Sequence, residues 1–198
     1  MFAFLAGIAA GLLHVFSGPD HLAAVAPLAS GRERGQWLTG LQWGVGHTIG
    51  VLLIATLLLL LKERLPLEAI SAYSERIVGA SLILIGSWGL WRAWVLRCSG
   101  AEVHSHTGAS FSMGTIHGLA GSSHLFGVLP ALAFASRLSS VLYLVGFGLG
   151  AIVGMTAFSA AVGLVSSKLT RRSRSYSGLL YATSAAALVV GGVWLVGQ

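Results

Sequence analysis

The chain has 198 residues, 55% hydrophobic and only 9% charged, with a mean hydropathy of +0.82; soluble domains run to about a quarter charged, and none needs so much apolar surface for its core. The net charge of +6 raises nucleic acid as a partner, but the basic residues stand singly at the ends of apolar segments, where they read as membrane topology signals. Cys98 is the sole cysteine, which excludes an intramolecular disulfide, a cysteine metal cluster and a thiol carrier with one cysteine in each half.

Met1 to Leu13 is apolar with no Lys or Arg ahead of it, so it lacks the charged start of a signal peptide and joins the first span. Apolar stretches at roughly 2–28, 37–61, 70–96, 111–135, 139–166 and 175–197 each reach the ~20 residues that a bilayer crossing requires. The expectation is an all-α integral membrane protein of six transmembrane helices, forming a single transmembrane domain over residues 1–198. Short charged connections separate the spans: Arg32 to Arg34, Lys62 to Glu68, a histidine-bearing loop at about 98–110, Arg137, and Lys168 to Arg174.

Six spans put both termini on one side. The opposite face collects eight basic residues (Arg32, Arg34, Arg92, Arg97, Lys168, Arg171, Arg172 and Arg174), against four (Lys62, Arg64, Arg76 and Arg137) on the terminal face. The positive-inside rule then places both termini outside and the loop with His104 and His106 in the cytoplasm, in a cell inner or plasma membrane.

Within the first span, His14 and His21 lie seven residues apart. On a straight helix they share a face but stand roughly 10 Å apart, too far for one ion to bind both easily. Between them, Ser17-Gly18-Pro19-Asp20 predicts a kink or an unwound turn, because proline removes a backbone donor and crowds the preceding turn. Asp20 is the only aspartate in the chain. On the second span His47 sits among Gly40, Gly44, Gly46 and Gly50, whose spacing permits close helix approach. In the loop, Glu102, His104 and His106 form a short exposed tract, a weak metal signal better read as solvated chain. His117 and His124 fall in the fourth span.

Sliding the chain against itself by 103 residues superposes Gly11, His14, Gly18, His21, Leu22, Val25 and Pro27 on Gly114, His117, Gly121, His124, Leu125, Val128 and Pro130. Further on the shift becomes 106, matching Gly40 and Gly44 with Gly146 and Gly150, and Gly86 and Trp88 with Gly192 and Trp194. Each repeat, about 1–97 and about 111–198, holds three spans. An odd number makes the second copy enter the membrane from the opposite side, giving two inverted three-helix repeats. Transporters use this plan around a central site; the plainer reading is duplication that only builds a bundle.

Five of the seven histidines therefore fall inside spans, together with Asp20. A charge at the bilayer centre costs at least ~2.5 kcal/mol on insertion scales, so such groups face a pathway or a partner. Any one of them could simply be a hydrogen-bonded helix contact, but two pairs at matching repeat positions favour an ion pathway. Imidazoles with one carboxylate suit Ni²⁺, Co²⁺ or Zn²⁺ better than Ca²⁺ or Mg²⁺. In the second repeat Ser122 and Ser123 replace Pro19 and Asp20, so the two halves differ chemically.

These residues resemble the nickel/cobalt transporter superfamily, particularly its compact six-span urease-accessory (UreH-like) members. The resemblance spans the chain and rests on His14 to Pro27 (HVFSGPDHLAAVAP), on Val45-Gly46-His47-Thr48 and on His117 to His124 (HGLAGSSH). It implies His14, Asp20 and His21 as metal-recognition residues with His47 as a neighbouring ligand; His117 and His124 follow from the repeat. The chain departs from the family pattern in having five residues, Val15 to Pro19, before the Asp-His pair where the family has four, and no further acid among them. A later acidic family motif also has no match near Gly146 and Phe147.

The expected function is a secondary transporter of a divalent transition-metal ion, nickel or cobalt first and zinc next. It has no catalytic residues and no prosthetic group. Its partners are the metal as substrate and the lipid bilayer, with no nucleic acid; a homo-oligomer and nickel-enzyme maturation proteins are further candidate partners. The rivals are an intramembrane zinc-dependent hydrolase, for which three ligands and an open position suffice, and a membrane partner for nickel-enzyme maturation.

Overall fold

The computed structural model describes residues 1–30, 35–61, 67–99, 107–120, 127, 129–131, 133–170 and 173–196, and all regular structure among them is helical. Among the described residues seven helices follow in order: α1 Phe2–Ser17, α2 Pro19–Ala29, α3 Gln36–Leu61, α4 Leu67–Ser99, α5 Thr107–Ala120, α6 Arg137–Ser167 and α7 Arg174–Val196. Helical backbone also recurs at 129–131. Of the loop expected at about 98–110, the described residues at both edges are helical, α4 running to Ser99 and α5 beginning at Thr107.

Four stretches among the described residues are long and apolar enough to cross a membrane: Gln36–Thr56, Glu75–Cys98, Arg137–Ser167 and Arg174–Val196. The first expected span is not one rod. It is α1 and α2 bent by 73°, a fifth crossing if the pair is counted as one. The fourth, expected at 111–135, contributes α5, whose 14 residues span about 21 Å.

The α1–α2 break is local chemistry. Pro19 has no N–H to donate to α1 and forces the residue before it out of helical geometry. Gly18 accordingly adopts φ −87°, ψ 101°, its N–H closing α1 on the His14 carbonyl, and Pro19 starts α2 at a position where a missing donor costs nothing. A new helix therefore begins one residue after the old one ends.

The remaining helices pack through small residues, as apolar helices do when burial against neighbours offers little gain over lipid. α1 lies along α6, α5 along α3, α4 along α7, and α3 also packs on α6. At each of the first two contacts glycines admit the other backbone. A Cβ on Gly11 would strike the Phe147 carbonyl, and one on Gly114 the Trp43 carbonyl; likewise Gly150 meets the carbonyl of Ile8, and Gly46 that of Phe111. These paired contacts follow a shift of 103 between α1 and α5 and of 104 between α3 and α6. Packing thus matches Gly46 with Gly150, not Gly44 with Gly150 as the sequence shift of 106 does. Gly40 and Gly44 press on Met155 and Ile152 of α6 instead.

Candidate metal centre

The bend brings two helix ends together inside the bundle. His14 occupies the last turn of α1, while Asp20 and His21 occupy the first turn of α2. A carboxylate there is favoured by the positive end of the helix dipole, and a histidine by the negative end of the helix it closes. Gly18 is required by proximity, since a Cβ at that position would run into His21 Nδ1 and lie 2.8 Å from Asp20 Oδ1.

α3 and α5 supply the rest. His47 is carried by α3 and His117 by α5, and the two helices touch at this level: a Cβ on Gly118 would strike the His47 carbonyl. Asp20, His21, His47 and His117 are all buried, the three imidazoles completely, while His14 is half-buried. Ring centroids lie 4.5 Å apart for His14 and His21, 4.8 Å for His21 and His117, 4.9 Å for His21 and His47, 5.6 Å for His14 and His47, and 6.0 Å for His47 and His117.

Asp20 ties two of these rings down. His21 Nδ1 donates to its Oδ1 at 2.9 Å and His117 Nε2 donates to its Oδ2 at 3.0 Å. In that tautomer the lone-pair nitrogens of the neutral rings are Nε2 of His21 and Nδ1 of His117, the arrangement by which a carboxylate orients a metal-binding imidazole.

Two overlapping groups result. Ligand atoms of His14, His21 and His47 all lie within 4.8 Å of one another, and so do those of Asp20, His21 and His117. Imidazole nitrogens bound tetrahedrally to one ion at ~2.1 Å stand about 3.4 Å apart, so a contraction of up to about 1.4 Å brings either group onto a divalent ion. The separation of roughly 10 Å expected for His14 and His21 on a straight helix is removed by the bend. Five of the six site residues named from sequence, His14, Asp20, His21, His47 and His117, thus meet at one place. His124 lies outside the described residues, as do His104, His106, Ser122 and Ser123.

Among the described residues, two aromatic rings that sequence did not single out as site residues also stand against the histidines. The Trp43 ring, fully buried, sits 5.7 Å from His117, and the Phe147 ring, also buried, sits 5.3 Å from His14. The available signal was slight: Trp43 precedes His47 by one helical turn, on the same face.

No protein-family model and no solved structure matches the chain. It is 28% identical over 201 residues to urease accessory protein UreH of Bacillus sp. (strain TB-90), a match covering 93% of this chain and 86% of that protein. Two chloroplast proteins of Arabidopsis thaliana, FOR GROWTH AND FERTILITY 2 and FOR GROWTH AND FERTILITY 1, are 49% and 47% identical over 88 residues, 44% of this chain. The chain spans 24% of the length of those two relatives.

Proposed function

We propose that this protein is a secondary transporter of a divalent transition-metal ion, nickel or cobalt first, and not an enzyme. The observation that carries the reading is the convergence of four imidazoles and one carboxylate from α1, α2, α3 and α5 in the interior of an apolar bundle. Such groups are costly in a bilayer and concentrate along ion paths. Nitrogen-rich donors favour borderline metals over Ca²⁺ or Mg²⁺. The similarity to a urease accessory protein supports a nickel-related role.

The ion is the substrate. His14, His21 and His47 offer it three nitrogens; Asp20, His21 and His117 offer two nitrogens and a charge that offsets part of its own. His21 belongs to both sets, so ligand exchange about His21 passes an ion from one set to the other without releasing it to lipid. The broken α1–α2 helix is the kind of element that transporters place at their ion sites. An imidazole nitrogen that binds the ion cannot hold a proton, so competition between the two at these rings provides a route to coupling with a proton gradient.

The scaffold proposed for this movement is six spans in two inverted repeats, with both termini outside. The 73° bend read as one interrupted crossing, and the matched contacts of α1 with α6 and of α5 with α3, support that plan. Rocking of the two halves exposes the site alternately, and His124 completes the second half. A role as membrane partner in nickel-enzyme maturation is the second reading, favoured by the same relative.

The test is uptake by proteoliposomes scanned over Ni²⁺, Co²⁺, Zn²⁺, Mn²⁺ and Fe²⁺. Wild-type protein moves nickel or cobalt, and Asp20→Asn and His21→Ala abolish that movement while eluting as folded protein. Unchanged transport in both variants overturns the reading. Tightly held stoichiometric zinc, with turnover of lipid amides and no ion flux, establishes the zinc-hydrolase rival instead.

A further inference from the structure

Resting on the metal-transport reading, we infer that Trp43 and Phe147 are a matched pair of aromatic seals, one from each half of the chain, that control access of a divalent cation to the histidine cluster at His117 and at His14. His14 and His117 both lie against His21, with ring centroids 4.5 Å and 4.8 Å away, and against His47, at 5.6 Å and 6.0 Å. Phe147 stands 5.3 Å from His14 and Trp43 stands 5.7 Å from His117.

The two pairs are counterparts. His14 and His117 correspond by the shift of 103 that relates α1 to α5, and Trp43 and Phe147 by the shift of 104 that relates α3 to α6, as read from the glycine contacts. Those glycines sit at the seals themselves. Gly11, three residues before His14, presses on the Phe147 carbonyl; Gly114, three residues before His117, presses on the Trp43 carbonyl. Each seal is therefore a helix pair, α1 with α6 and α5 with α3, in which one helix carries the histidine and the other the ring beside it. Sliding or parting of one pair moves its ring off its histidine and leaves the other pair closed.

Burial differs at the two seals. His117 and Trp43 are both fully buried, whereas His14 is half-buried although Phe147 is 2% exposed. The structure is closed at the Trp43 seal and looser at the Phe147 seal. A divalent ion cannot pass through a packed ring, and the attraction of an aromatic face offsets only part of the hydration the ion sheds, so passage requires the ring to move. Packing alone accounts for an aromatic residue in an apolar core; a ring against each of His14 and His117, at positions related by the repeat, places the same element in both halves.

The experiment is modification of histidines by diethyl pyrocarbonate on the full chain in lipid nanodiscs, which leave both faces open, with rates read residue by residue by mass spectrometry. In wild-type protein His117 reacts more slowly than His14. Trp43→Ala raises the His117 rate by about tenfold, equivalent to about 1.4 kcal/mol, and leaves His14 unchanged. Phe147→Ala raises the His14 rate and leaves His117 unchanged, and Trp43→Phe keeps the wild-type pattern. Trp43→Ala that leaves His117 protected, or raises His14 and His117 alike, overturns the inference. If Trp43→Ala does not yield folded protein, Trp43→Leu gives the same comparison at smaller volume loss. The readout needs no metal, so this pattern with no ion flux in proteoliposomes sustains the seals and overturns the transport reading.

Discussion

Asp20 accepts hydrogen bonds from two imidazoles, and that double contact determines what its replacement does. Asparagine keeps the shape, but its amide can accept from one ring only and carries no charge to offset a cation. Asp20→Asn is expected to weaken Ni²⁺ or Co²⁺ binding by ~10–100-fold, the range found when partners that orient metal-binding histidines are altered, with titration calorimetry as the measurement. Asp20→Ala removes the acceptor of both the His21 and the His117 hydrogen bonds inside the bundle and costs a further ~1–3 kcal/mol of stability for each bond lost, read as a lower thermal midpoint than that of Asp20→Asn. Equal midpoints would show that the carboxylate does not hold the rings. His14, Asp20, His21, His47 and His117 were legible in the sequence because ionisable groups are rare in spans and therefore conspicuous. Trp43 and Phe147 were not, because in an apolar helix a ring beside a histidine is indistinguishable from one facing lipid or core until the neighbouring helices are placed.

At the scale of elements, glycines set how close the histidine-bearing helices come. A Cβ at Gly118 meets the backbone carbonyl of His47, which cannot rotate away, so Gly118→Ala must push α3 and α5 apart. The cost expected is ~1–3 kcal/mol, the usual penalty of overpacking a fitted interface. Gly192→Ala on α7 meets nothing within 4 Å and is expected to be neutral or to gain stability, since alanine is the better helix former. Thermal midpoints of the two variants decide the matter, and equal midpoints would sink the claim that this contact sets the spacing. The sequence announced close packing through its glycine spacing and a break through Gly18-Pro19, both local signals. It could not announce which helix each glycine faces. Gly40, Gly44, Gly46 and Gly50 all sit at suitable spacing, yet the first two meet α6 and the last two α5, a division made by contacts distant in sequence.

For the whole molecule, the open quantity is how many times the chain crosses before Cys98. That residue is the sole cysteine and is exposed at the end of α4, which makes it a built-in topology probe. If the bent pair α1–α2 is one crossing, three crossings precede Cys98, and it lies on the face opposite the N-terminus. If the pair instead dips in and returns, only two precede it and both share a face. The charge bias behind the expectation of outside termini includes Arg92 among eight basic residues, but Arg92 is buried, its guanidinium 5.4 Å from the Trp88 ring centroid. Without it the bias is seven to four, still in the same direction. The expected outcome in intact cells is that an N-terminal epitope tag is reached from outside, while an impermeant maleimide labels Cys98 only after permeabilisation. Labelling of Cys98 from outside together with the tag makes α1–α2 a re-entrant element, which removes the inverted relation between the two halves and with it the alternating exposure of the site.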